Sequence, residues 1–158
     1  MADPLVSVLI TAYNHEKYIR KAIEGCLMQE TSFPFEIIIH DDASTDKTAQ
    51  IIREYAEKHP EVIKTIIQTE NQYSKLSRLT ARLMVPIAKG KFIAFCEGDD
   101  YWTDPKKLEK QITVMENDPT ISLCFTASKW VYVNAKKRDK IMSYHNGNHY
   151  FSSDEVIM

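Results

Sequence analysis

Two short stretches of this 158-residue chain gather carboxylates more densely than an ordinary surface requires. One reads Asp41-Asp42-Ala43-Ser44-Thr45-Asp46, the other Glu97-Gly98-Asp99-Asp100-Tyr101-Trp102. Carboxylates held this close repel one another unless a cation or several hydrogen-bond donors join them. Hard oxygen ligands of this kind suit Mg2+ or Mn2+. A third stretch, Thr11-Ala12-Tyr13-Asn14, adds an aromatic ring and polar groups. Taken alone, Asp41-Asp42 could be no more than a turn and a helix cap, so the position of each stretch relative to the strands matters more than its composition.

The elements that carry these stretches follow from the hydrophobic pattern. Residues 5–12 (LVSVLITA) and 35–40 (FEIIIH) are short, apolar and rich in β-branched side chains, the pattern of parallel strands buried on both faces. Between them, Ile19, Ala22, Ile23, Cys26 and Leu27 recur three and four apart, which predicts an amphipathic helix with Asn14 as its cap. A second helix follows the Asp41–Asp46 turn and turns Ala49, Ile52, Tyr55 and Ala56 inward. Residues 62–68 read as a third strand, 76–85 as a weaker helix that Pro86 ends, and 91–96 as a fourth strand entered through Gly90. Asp104 and Pro105 suit the cap and first position of a helix running to residue 117, and 121–133 is strand-like. Strands alternating with helices argue for βαβ crossovers and a mostly parallel α/β sheet with helices on both faces. In such sheets ligands bind beyond the carboxyl ends of the strands. All three polar stretches fall there: Thr11 and Tyr13 after strand one, Asp41 and Asp42 after strand two, Glu97, Asp99 and Asp100 after strand four.

Bulk properties remove several functions. A net charge of −2 gives no footprint for nucleic acid, and the lysines around 136–140 read as solvated surface. Cys26, Cys96 and Cys124 show no CxxC spacing, which suggests neither a disulfide framework nor a zinc site and fits a reducing cytoplasm. The apolar runs are too short for a transmembrane segment. His145 and His149 are four apart, but Asn146-Gly147 between them signals a turn rather than a helical metal pair.

The segments LVSVLITAYNHEKYIRKAIEGCLMQ, FEIIIHDDASTDKT and AKGKFIAFCEGDDYWTDPKKLEKQ together resemble the opening motifs of the inverting glycosyltransferases of family two. These enzymes have the GT-A (Rossmann-like) fold and belong to the nucleotide-diphospho-sugar transferase superfamily. The resemblance runs over residues 5–128, with three motifs in order, which is specific where one Asp-Asp pair would not be. It implies that Tyr13 stacks on uracil or another base and that Thr11 lines the same pocket. Asp42 would hydrogen-bond the base edge, Asp99 would contact the ribose, and Asp100 would bind the Mn2+ or Mg2+ ion that bridges the two phosphates. The implied donor is a nucleotide-sugar, UDP-linked before GDP- or dTDP-linked. The implied acceptor is a saccharide or lipid-linked hydroxyl, in cell-surface polysaccharide synthesis at the cytoplasmic side of the membrane.

The sequence departs from the family pattern at Ser77-Arg78-Leu79-Thr80-Ala81-Arg82-Leu83, which lacks the usual asparagine and glycine. Arg78 or Arg82 could reach a phosphate or be an exposed helix charge. Tyr101 and Trp102 could be core aromatics or could shape a sugar pocket. Inversion needs a general base on the acceptor side. In the family that carboxylate lies later in the chain, and the late pair Asp154-Glu155 has no recognisable context. The expectation is one nucleotide-sugar-binding domain over residues 1–158, the N-terminal part of a longer protein, with the catalytic base beyond Met158. A nucleotidyltransferase is disfavoured because Tyr13-Asn14-His15-Glu16 is not a glycine- and arginine-rich phosphate loop. A phosphoacceptor receiver domain would place its acidic pair after strand one. A fragment that binds nucleotide without transferring sugar remains the alternative.

Overall fold

The computed structural model describes residues 3–73, 75, 79–132 and 139–142. Arg78, Lys136, His145, His149, Asp154 and Glu155 lie outside them. The chain divides into two compact units, Met1–Ile112 and Thr113–Met158.

The first unit is built on four parallel strands. In chain order its elements are β1 (Val6–Ala12), α1 (Ile19–Leu27), β2 (Phe35–Asp41), α2 (Thr48–Lys58), β3 (Ile63–Ile67), α3 (Leu79–Leu83), a single 3-10 turn (Val85–Ile87), β4 (Phe92–Glu97) and the start of α4 (Lys107–Asn117). The strand order is β3-β2-β1-β4, so β1 lies in the interior of the sheet. Pairing runs Val6 with Phe35 through Ala12 with Asp41 on one side, and Val6 with Phe92 through Thr11 with Glu97 on the other. The period of two along each strand sorts its side chains onto two faces. On one face Val6, Val8, Ile10, Ile37 and Ile39 pack with Ile19, Ala22, Ile23 and Cys26 of α1, Ile52 and Tyr55 of α2, and Leu108 and Ile112 of α4. On the other, Leu9 and Ile38 meet Met84, with Leu83, Ala88 and Ile93 around them. Truncating one of these fully buried side chains, such as Leu9→Ala, is expected to cost roughly 2–5 kcal/mol. Cys26 and Cys96 are free thiols of the larger cluster. Hydrogen bonding with the Cys96 thiol, and then burial, pushes the Cys26 thiol well up.

The expected α/β architecture is therefore present, and the differences from the sequence reading are local. Asn14 does not cap α1. It adopts a left-handed backbone, φ 57°, and its side chain instead accepts the Thr45 N–H at 2.8 Å. Asparagine tolerates that conformation better than most residues. The chain reaches α1 through a turn in which the Tyr18 and Ile19 N–H groups both donate to the His15 carbonyl at 2.9 Å. Of the weak helix expected over 76–85, the described residues hold α3 at Leu79–Leu83, and Pro86 sits in the 3-10 turn that follows. Asp104 does act as a cap, its carboxylate accepting the Lys106 N–H at 2.9 Å. In the second unit the strand expected over 121–133 reduces to β5 (Ser128–Trp130), paired antiparallel with β6 (Lys140–Met142).

Candidate functional site

The carboxyl edge of the sheet brings the polar stretches together because all four strands point the same way. β1 and β2 end side by side, Ala12 opposite Asp41, and their loops are laced by hydrogen bonds. Asn14 N–H donates to the Ser44 hydroxyl at 2.9 Å, His15 N–H to the Thr48 hydroxyl at 2.8 Å, and Glu16 N–H to Asp46 at 3.0 Å. In return Asp46 accepts the Thr48 N–H at 2.9 Å at the start of α2. Burial pushes the Asp46 carboxyl up, but the Thr48 hydroxyl and N–H and the Glu16 N–H outweigh it and hold the carboxyl below the usual aspartate range. Asp41 is likewise consumed within its turn, accepting from the Ser44 N–H and hydroxyl. Asp41, Ser44 and Asp46 are thus the framework of the β2 loop.

Asp42 is different. It is buried, 4% exposed, and its own N–H donates to the Ala12 carbonyl at 2.9 Å. One carboxylate oxygen accepts the Gln72 N–H at 2.7 Å and the other the Tyr73 N–H at 2.9 Å. Asn71 donates to the Asp42 carbonyl at 3.3 Å. The loop after β3 is therefore tied to the end of β2 by a residue whose contacts lie some thirty positions away in the chain.

At the end of β4 the Gly98 N–H donates to the Thr11 carbonyl at 2.8 Å, and the Asp100 N–H to the Glu97 carbonyl at 3.0 Å. A Cβ at position 98 would stand 2.8 Å from His15 Nδ1, 2.9 Å from the Thr11 carbonyl and 3.1 Å from the Ala12 Cβ, so only glycine lets this turn close onto β1. His15 Nδ1 is buried there without a hydrogen-bond partner among the described residues. Asp99 and Asp100 are both exposed on this turn. Burial of its carboxyl, and then the neighbouring Asp99 carboxylate, hold Asp100 above the usual aspartate value. Among the described residues neither forms an ion pair, and no three His, Cys, Asp or Glu side chains converge as a metal cage. The donor set available to a cation is thus a pair of hard carboxylates, which fits Mg2+ or Mn2+ completed by phosphate oxygens and water.

The aromatic residues separate by role. Tyr13 is 46% exposed at the end of β1. Trp102 packs against the larger core cluster, with its backbone so close to α1 that a Cβ on Gly25 would meet its carbonyl at 2.8 Å. Tyr101 stays exposed beneath the Lys21 ammonium, 5.5 Å from its ring centre. Arg82 is exposed on α3. The buried Gln29 escaped the sequence reading: it donates to the Gly25 and Asp104 carbonyls and accepts the Leu108 N–H at 3.0 Å, so it links the end of α1 to the start of α4. Nothing in the local pattern marks it.

The family model for glycosyl transferase family 2 matches residues 7–155. The chain belongs to that family. It is 40% identical over 132 residues to the uncharacterized protein Rv1520 of Mycobacterium tuberculosis, covering 84% of this chain and 37% of that protein. It is 40% identical over 114 residues to the Escherichia coli UDP-Glc:alpha-D-GlcNAc-diphosphoundecaprenol beta-1,3-glucosyltransferase WfaP, covering 72% of this chain and 42% of WfaP. Among solved structures it superposes on the mannosyltransferase PcManGT of Pyrobaculum calidifontis, in complex with GDP-Man and Mn2+. That match has a TM-score of 0.64 and 24% identity, and it covers 83% of this chain and 36% of that one. The fold is GT-A, and the chain spans well under half the length of these relatives. Among the described residues no helix is long and apolar enough to cross a membrane.

Proposed function

We propose that residues 1–158 form the nucleotide-sugar-binding part of a metal-dependent, inverting glycosyltransferase that moves a sugar from a UDP-linked donor to a saccharide or lipid-linked hydroxyl. The observation that carries this reading is the acidic turn. In a family 2 chain, Asp99 and Asp100 stand side by side and exposed at the carboxyl edge, with no protein cation among the described residues to balance them. Thr11 near the end of β1, Tyr13 just after β1 and Asp42 just after β2 border the same edge.

In this reading Tyr13 offers its exposed ring to the base and Thr11 lines the pocket beside it. Asp42 reaches the base edge through the lone pairs its two backbone contacts leave free. Asp99 accepts from the ribose, and Asp100 ligates Mn2+ or Mg2+. That ion would supply positive charge to the diphosphate as it leaves, with no proton transfer required. The Gly98 turn holds Asp99 and Asp100 against β1, so that nucleoside and diphosphate meet one rigid edge.

WfaP, named for a UDP-sugar donor and a lipid-linked acceptor, supports both choices, and the GDP-Man and Mn2+ bound to PcManGT support a metal-assisted donor site. The physiological setting proposed is cell-surface polysaccharide assembly at the cytoplasmic face of the membrane. Calorimetric titration with UDP, GDP and CDP, each with Mn2+ and with EDTA, tests the site. Metal-dependent binding of UDP over the others is expected, weakened at least about tenfold in Asp100→Ala. Equal affinity with EDTA would remove the metal role, and preference for another base would replace uridine.

A further inference from the structure

The loop after β3 carries an aromatic residue that the proposed chemistry leaves unused. Tyr73 exposes 81% of its surface, the largest fraction of any large hydrophobic side chain among the described residues. Its backbone, by contrast, is pinned: the Tyr73 and Gln72 N–H groups each donate to one oxygen of the buried Asp42 carboxylate. Asp42 also fixes the neighbour of the other exposed aromatic, since its N–H donates to the carbonyl of Ala12, the residue before Tyr13. One buried aspartate therefore bonds the backbone of Tyr73 through its carboxylate and that of the residue before Tyr13 through its own N–H.

Such an arrangement has a physical reading. A charged carboxylate that commits both oxygens to consecutive N–H groups of one loop orders that loop's backbone, and charge-assisted bonds of this kind are roughly twice as strong as neutral ones. The ring so positioned is left in water, where an aromatic face gains by being covered with another flat surface. We propose that Tyr73 is a second base-stacking wall: the base of the nucleoside diphosphate lies between Tyr13 and Tyr73, and Asp42 is the positioning residue that holds both walls. The inference rests on the donor-site reading above and adds to it a specific residue outside the three motifs. Stacking is tolerant of base identity because every base presents a π-face, so Tyr73 sets how tightly any base is held rather than which one is chosen.

The test is titration of the 158-residue chain with UDP, GDP and inorganic pyrophosphate, all with Mn2+, in the wild type and in Tyr73→Ala, Tyr73→Phe and Asp42→Asn. Tyr73→Ala is expected to weaken UDP and GDP by about 5- to 150-fold alike, the range for losing one stacked base, and to leave pyrophosphate unchanged. Tyr73→Phe keeps the ring and should bind as the wild type does. Asp42→Asn, which loses both the charged acceptor of the Gln72 and Tyr73 N–H groups and the base-edge contact proposed above, should weaken UDP and GDP at least as much as Tyr73→Ala, with pyrophosphate again unaffected. Wild-type binding that Tyr73→Ala leaves intact, or a pyrophosphate loss equal to the UDP loss, overturns the stacking wall and spares the donor site. A wild-type chain that binds neither UDP nor GDP overturns the donor-site reading and this inference with it.

Discussion

Glu36 at the amino end of the parallel sheet and Asp100 at its carboxyl end carry negative charge in opposite ways. At the amino end Glu36 is buried on β2 and fully answered by the protein: the Ser7 hydroxyl and the Lys89 N–H each donate to it at 2.7 Å, and the Lys64 ammonium pairs with its other oxygen. The Ser7 hydroxyl in turn accepts the Gly90 N–H at 2.8 Å, which ties the entry of β4 to β1. Burial opposes ionisation of Glu36, but these donors outweigh it and keep the carboxyl below its usual value. At the carboxyl end burial, and then the neighbouring Asp99 carboxylate, raise Asp100 above its usual value. A carboxylate satisfied from within contributes to stability. Asp99 and Asp100 form no ion pair among the described residues, so their mutual repulsion is not offset by a protein cation.

That contrast can be broken in graded ways. Removing the satisfied charge should do most harm to folding. Glu36→Ala strands the Ser7 hydroxyl, the Lys89 N–H and a half-exposed lysine, for an expected loss of roughly 2–4 kcal/mol in urea unfolding. Because the folded-state pKa of Glu36 is depressed, its contribution is present above the unfolded glutamate value. It should disappear as pH falls below about 4.3 through the folded value, so wild type and Glu36→Ala converge in acid. A pH-independent gap would show that packing, not charge, is what Glu36 supplies. Gly98→Ala comes next. Its new methyl meets the Thr11 carbonyl, a backbone atom that cannot swing aside, and about 1–3 kcal/mol is expected from thermal melts together with weaker Mn2+-dependent nucleotide binding. Undiminished binding would mean that the acidic turn need not sit against β1. The smallest effect belongs to the unsatisfied charge. Asp100→Asn removes repulsion from Asp99, so stability at neutral pH should hold or rise by no more than about 0.5 kcal/mol, and a clear loss would place Asp100 among the structural carboxylates.

The same division explains which features the sequence revealed. β1 and β2 were legible because a strand buried on both faces is a run of apolar residues, β4 was legible as an apolar run although its side chains are mostly half-buried or exposed, and the three polar stretches were legible because chain direction alone sends them to one edge. Asn14 misled because a cap and a left-handed turn favour the same side chain. The use of Asp42 was hidden, since the N–H groups it accepts belong to a loop that no local pattern connects to it. Glu36 and Gln29 were missed for the same reason: one polar residue inside an apolar stretch shows its purpose only when its distant partners are in place. A glutamate opening the run Ile37-Ile38-Ile39, with Ser7 in the matching place on β1, is nonetheless a signal that strand pairing could have exposed.

The sheet order also has a consequence for how the chain matures. β1 is made first but stands between β2 and β4, so one of its edges stays open until the chain has been synthesised past Glu97. Pairing between segments so far apart is slow to form, and an open apolar strand edge is exposed to association while it waits. The Gly98 N–H to Thr11 carbonyl bond continues the β1–β4 ladder, so the acidic turn comes into being in the step that closes the sheet. A nascent or partly unfolded chain therefore lacks the assembled acidic turn, and in the function proposed above a bound metal–nucleotide complex would act as a latch on β4.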